Sequence, residues 1–304
     1  YPDVARNLLP GLGRLLFPDI DRARSMELLW NRRFVSGEAP SLAEWGPGVA
    51  AGWRPVQIFN AVAIESGCRV LISPVRLDPA TFTGAIVFPS ETHDLEISTA
   101  GRLSAAFPYL TPASRARESL PAVDGQQLAN ARSCGALGLG SQHIVDGGYY
   151  DNYGIVTAMQ WIDAVLGDPD SSHFRRVVVI EIRSMSKQFN RDGEAVSGLA
   201  ARLAGPFKAL MSVRTTSQID RNDEQLRRFA EHWRGRGVSI DFVQFEAHNV
   251  ERLTWTLAPE AIAEIRRNWT EDPDVVCQRR RLCRLIDGED CPAEPSDGCP
   301  PAGG

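Results

Sequence analysis

The 304-residue chain carries 33 Lys and Arg against 38 Asp and Glu, a formal net charge of -5, with 43% hydrophobic residues. That balance argues against a protein built to coat nucleic acid, which needs an excess of clustered cations, and the apolar content is enough for a large packed core. No stretch approaches the roughly 18 uncharged apolar residues of a membrane-spanning helix, so the chain itself is expected to be soluble.

The first residue is Tyr1, and the opening YPDVARNLLPGLGRLLFPDI lacks the basic, apolar and small-residue segments of a signal peptide. The expectation is that sequence upstream was removed or that the chain is a piece of a longer protein. From Ile20 to Phe34, the residues Ala23, Met26, Leu28, Leu29 and Trp30 fall at partly helical spacing behind Asp21 as a cap. A Pro-, Gly- and Ser-rich loop then leads to the apolar run Val56–Ala63 and, after Gly67, to Arg69–Ser73, which read as adjacent strands. The small-residue stretch Thr99–Pro108 suits a short helix packed closely on a sheet and stopped by proline.

His143–Val145 reads as a short strand ended by the turn Asp146-Gly147-Gly148, and Ile155, Met159, Ile162 and Leu166 mark a helix behind it. The run Val177–Ile182 is the clearest strand, apolar enough to be an inner strand covered on both faces. A charged, periodic stretch from Pro206 to Trp233 reads as a helix, Val238–Phe245 as a strand, and Pro259–Trp269 as a last helix. The alternation indicates a three-layer α/β/α domain over residues 1–273, followed by a Cys-, Pro- and Gly-rich tail, 274–304, expected to be disordered. Within that tail, Arg279, Arg280, Arg281 and Arg284 form the one basic run, most simply a solvated face.

Six cysteines divide into two lone ones, Cys68 and Cys134, and four in the tail, Cys277, Cys283, Cys291 and Cys299. The spacing does not suit paired zinc ligands, so no metal is expected; disulfides in the tail and a reduced tail both fit.

An acid at the mouth of a strand with two glycines behind it sits beside little bulk, which leaves the Asp146 carboxylate open to a partner. The plainer reading is that Asp146 only shapes the turn. Val145-Asp146-Gly147-Gly148, with Asn152 and Gly154 behind it, resembles the Asp-Gly-Gly motif of patatin-like phospholipases. Phe59-Asn60-Ala61 with Glu65-Ser66-Gly67, Ser104–Pro108 with Pro112, and Leu253-Thr254-Trp255 follow in that family's order. The resemblance, from about Asp21 to Trp269, implies a patatin-like α/β/α fold and lipid acyl hydrolysis by a Ser-Asp dyad. It makes Asp146 the catalytic proton acceptor, Gly147 and Gly148 its turn, and a lipid or ester the substrate, with no cofactor and with peripheral membrane contact.

The family's Gly-x-Ser-x-Gly elbow, which exposes the nucleophile, and its Gly-rich oxyanion loop occur nowhere in these 304 residues. Ser141 and Ser66 lack the flanking glycines, so the serine is expected upstream, outside this chain. A carboxylate is a weak base, and partial desolvation would strengthen it. His143, close by in sequence, lies on the strand before the turn and reads as packing or surface. The alternative is a non-catalytic binding or scaffold domain in which Asp146 merely forms the turn.

Overall fold

The computed structural model describes residues 22–34, 37–90, 92–106, 114–115, 134, 142–171, 173–183, 217–246 and 258–288. They form a mixed α/β fold whose strands make two sheets. The chain divides into two compact units, Tyr1–Trp161 and Ile162–Gly304.

The described part of the first unit begins with α1 (Arg22–Asn31) and α2 (Leu42–Ala50). Ser41 caps α2 by accepting from Glu44 N, and the Glu44 side chain returns to Ser41 N at 2.8 Å, a closed capping box. Strands β1 (Phe59–Ala63) and β2 (Arg69–Ile72) follow as an antiparallel pair, as their β-rich runs predict. Next come β3 (Ala85–Val87), α3 (Ile97–Ser104), β4 (Ser114–Arg115), β5 (His143–Asp146) and a single turn of helix, α4 (Gly148–Asp151). The five-stranded sheet has the order β3-β2-β1-β5-β4, with β1 at its centre. Alternation splits its side chains cleanly. Ala61, Ala63, Val70, Ile72, Ile86 and Ile144 pack on Leu42, Ile97 and Ala100 of α2 and α3, while Leu71 and Ala85 face Leu77 and Phe82 on the other side.

Helix α5 (Ile155–Gly167) follows, with the unit boundary inside it. The second unit contains β6 (Arg176–Arg183), α6 (Gln218–Arg234) and β7 (Ser239–Glu246), then α7 (Pro259–Glu271) and α8 (Pro273–Asp287). β6 and β7 run parallel in register over their whole length. On one face Val177, Val179, Ile240 and Phe242 meet Ala230 and Trp233 of α6; on the other, Val178, Val243 and Phe245 meet Val275, Leu282 and Leu285 of α8.

The structure bears on four of these readings. The segment 274–304 is not disordered throughout, because α8 occupies most of its first half: Val275, Leu282 and Leu285 repeat at helical spacing and Asp272 caps it by accepting from Asp274 N and Val275 N. Cys68 and Cys134, which stand apart from the other four in sequence, form a disulfide with Cα atoms 5.7 Å apart, and of the tail cysteines Cys277 and Cys283 are disulfide-bonded. β6 is covered on both faces, by α6 and by α8, although Ile180 and Ile182 near its end are 47% and 79% exposed; among the described residues it pairs with β7 alone. Of the helix expected over Pro206–Trp233, the part from Gln218 is observed, and residues 206–216 lie outside the described residues. Asp21, Phe107, Pro108, Pro112, Ser141, Leu253–Trp255, Cys291 and Cys299 lie outside the described residues.

Candidate active site around Asp146

Asp146 is the last residue of β5 and pairs with Ala61 across the antiparallel ladder. Two backbone hydrogen bonds fix the strand end: Asp146 N donates to Ala106 O and Gly147 N to Ser104 O, both at 3.1 Å. These acceptors lie at and just beyond the C-terminus of α3, where helix carbonyls lack partners of their own. The small residues Ser104-Ala105-Ala106 let the two backbones come that close. Asp146 is buried, 7% exposed as a residue, and its Oδ1 accepts the Gly148 N–H at 2.7 Å. This is an Asx turn, the local bond that Asp makes two residues ahead.

Gly147 is required by space and not by dihedral freedom. Its φ of -63° and ψ of -21° suit any residue. A Cβ there would lie 2.2 Å from Asn60 O and 2.5 Å from Asn60 C. Asp146 shares a sheet face with Ile144, whereas the helix that follows the turn bonds to residues of the opposite face, Asn60 and Arg69. The chain thus crosses the start of β1 at Gly147, and only a residue without a side chain fits against the Asn60 carbonyl.

A buried polar network holds the far side of the crossing. Asp151, 3% exposed, accepts from Thr157 N at 3.0 Å and Val156 N at 3.3 Å, capping α5. The Thr157 hydroxyl lies 2.7 Å from Asn60 Oδ1 and 3.0 Å from Asp151 Oδ2, and its single proton serves one of them. Into that hydroxyl Arg69 donates at 2.8 Å, while its second terminal nitrogen donates to Gln160. Arg69 is 1% exposed, and its guanidinium carbon sits 5.4 Å from the Tyr150 ring centroid. Burial pulls the Arg69 pKa below the usual arginine value, with the Asp151 charge opposing. Asp151 and Asn60 therefore brace the turn, while Tyr150 is 40% exposed with its ring beside the Arg69 guanidinium. An arginine at the head of an apolar strand gave no sign of burial in the sequence; its partners lie about ninety residues away on α5.

No family model matches the chain, and no curated protein or solved structure matches it either.

Of the four segments that carry the resemblance, three meet at one point: Asn60-Ala61, Ser104–Ala106 and Asp146–Gly148. His143 alternates to the opposite face from Asp146. Its backbone N donates to Glu65 Oε2 at 2.8 Å and its Nδ1 lies 2.5 Å from Glu65 Oε1. Burial acts to raise the Glu65 pKa, but the hydrogen bonds from the His143 ring and backbone outweigh it, so the carboxyl lies below its usual range. Ser66 is committed elsewhere, its hydroxyl donating to Gln142 Oε1 at 2.6 Å.

Among the described residues, the second unit holds one further buried polar cluster. Arg183, 1% exposed, donates to Glu181 at 2.8 Å, Asp223 at 2.6 Å and Glu246 at 3.2 Å. Burial works against its charge, and the Glu181 and Asp223 carboxylates overcome it, raising the Arg183 pKa above the usual arginine value. With its cation already supplied by Arg183, this cluster reads as an internal ion network that ties β6 and β7 to α6.

Proposed function

We propose that Asp146 is the proton acceptor of a Ser-Asp dyad in a lipid acyl hydrolase of the patatin-like kind. The observation that carries the reading is the convergence of Asn60, Ser104–Ala106 and Asp146–Gly147 at one strand end, where main-chain bonds to Ala106 and Ser104 fix the backbone and the Gly148 N–H holds one carboxylate oxygen. A general base must be fixed in position before its basicity matters. The nucleophile would be a serine in an elbow encoded upstream of Tyr1. In the first step that hydroxyl gives its proton to the Asp146 carboxylate as its oxygen bonds to the ester carbonyl carbon. Collapse of the tetrahedral intermediate expels the alcohol, which takes the proton from Asp146. Water then bonds to the acyl carbon as Asp146 accepts its proton, and collapse breaks the serine–acyl bond, Asp146 returning the proton to the serine oxygen as the fatty acid leaves.

The test is to read the coding region upstream of Tyr1 and to assay the encoded protein on a p-nitrophenyl ester beside Asp146→Asn. Asparagine keeps an Oδ1 to accept the Gly148 N–H, so the turn stays while the base is lost. Activity should fall about 10²–10⁴-fold with the melting temperature unchanged. An upstream region with no elbow serine, or activity indifferent to the substitution, refutes the proposal.

A second reading has its own observation. The bond from Gly148 N to Asp146 Oδ1 is a structural task sufficient to explain the acid, as in a binding domain that uses the turn alone. On that reading Asp146→Ala lowers stability, and neither Asp146→Asn nor Asp146→Ala has an activity to lose.

A further inference from the structure

The twenty residues from Trp45 to Ile64 contain a single charge, Arg54, and no carboxylate. The corner that joins α2 to β1 presents Pro47, Ala50, Ala51, Gly52, Trp53 and Pro55 to solvent, and Trp53 is 67% exposed. A tryptophan left in water on an apolar corner normally collapses onto the nearest groove, because its ring carries the largest apolar surface of any side chain. Here the corner is built to hold it outward. Trp53 N and Arg54 N both donate to Gly48 O, at 3.2 and 3.1 Å. Gly48 leaves the space that the two side chains occupy, since a Cβ there would lie 2.5 Å from Arg54 Cδ and 2.9 Å from Trp53 Cζ2. The Arg54 guanidinium carbon sits between two indoles, 4.5 Å from the Trp45 centroid and 4.2 Å from the Trp53 centroid. Its NH1 donates to Glu44 O at 3.1 Å, and Trp45 Nε1 donates to Pro55 O at 3.1 Å.

We propose that this Trp45–Arg54–Trp53 corner docks on the surface of a phospholipid bilayer containing anionic headgroups. Indole rings favour the boundary between headgroups and acyl chains, and an adjacent cation complements lipid phosphate. Stacking of a sugar on Trp53 is the competing chemistry, but sugars are held by side-chain amides, carboxylates and hydroxyls, and residues 46–56 contain none of these. The corner leads straight into β1, so Trp53 lies within about 25 Å of Asn60 and the Asp146 turn. The docking is read from the corner itself and is independent of whether Asp146 is catalytic.

The experiment is sedimentation of the whole chain with vesicles of phosphatidylcholine alone and of phosphatidylcholine with phosphatidylglycerol. The wild-type chain should bind the mixed vesicles more tightly. Trp53→Ala should weaken that binding roughly ten-fold, as expected for about 60 Å² of apolar surface left in water. Trp161→Ala removes another tryptophan of similar size, 41% exposed on α5, and should bind as wild type. Circular dichroism of each variant separates lost docking from lost folding. Failure of the wild-type chain to bind either vesicle, equal binding by Trp53→Ala, or an equal loss in Trp161→Ala overturns the proposal. Retention of Trp53 quenching by soluble oligosaccharide without vesicle binding would reassign the corner to sugars. None of these outcomes depends on ester hydrolysis.

Discussion

Replacing Gly147 by alanine tests the crossing most directly. The new methyl would lie 2.2 Å from Asn60 O and 2.5 Å from Asn60 C, against a normal carbon–oxygen contact of more than 3 Å. The neighbour is backbone of β1, the central strand of its sheet, so no rotamer change relieves the overlap and either β1 or the turn must shift by about 1 Å. Overpacking of well-packed sites costs typically 1–3 kcal/mol, and an obstacle of backbone places this case at about 3 kcal/mol or above. For a unit of this size that corresponds to a fall of about 6–12 °C in melting temperature. Gly154→Ala is the comparison: its φ of +70° is strained for alanine, but its Cβ would be 3.6 Å from Asn60 Nδ2, an ordinary contact. It should cost about 1–2 kcal/mol, the penalty of the left-handed backbone alone. Thermal unfolding followed by circular dichroism gives both numbers. A melting temperature for Gly147→Ala within 2 °C of wild type, roughly the effect of a surface change, would refute the steric reasoning.

Three more outcomes follow from the geometry around the site. Thr157→Val keeps the shape of the side chain but removes the hydroxyl between Arg69, Asp151 and Asn60, and should cost about 1–3 kcal/mol in urea unfolding with an unchanged m-value. Glu65 has a folded pKa below its usual value, so its contribution to stability is present above the usual carboxylate range and is lost as pH falls through the lower folded pKa. Unfolding measured from neutral to acid pH should therefore show a shallower acid decline in Glu65→Gln than in wild type. The Cys68–Cys134 disulfide closes a sequence separation of 66 residues, and loop-closure entropy puts its loss at about 4 kcal/mol. Cys68→Ser with Cys134→Ser should lower the urea midpoint accordingly, and reduction should then leave that variant's first-unit transition unchanged.

The elements were legible wherever one physical signal dominated. The helical repeat of Ile155, Ile162 and Leu166, the apolar run of β6 and the alternation of β7 each matched an observed element to within a few residues. The Asp146 turn was legible because Asp-Gly-Gly ends a strand in few other ways, and its glycine requirement was visible while the reason was not. Contact with Asn60 O comes from residues 87 positions apart in sequence. Arg69 illustrates the same limit: periodicity marks which positions face inward, but a buried cation needs partners that only the packed fold supplies. The pairing of Cys68 with Cys134 had no local signal either. Helix α8 was hidden by its composition, since four arginines and two cysteines mask the apolar spacing of Val275, Leu282 and Leu285.

The exposed end of β6 has a consequence for how the molecule behaves in bulk. Ile180 and Ile182, two residues apart in an eight-residue strand, lie open to water on one face, a patch of bare apolar surface that another copy of the chain can cover. The last four residues of this strand alternate isoleucine outward with Glu181 and Arg183 inward, committing their charges to the interior. Self-association through that patch would then grow with concentration, and Ile182→Lys would keep the protein dispersed without touching the Asp146 turn.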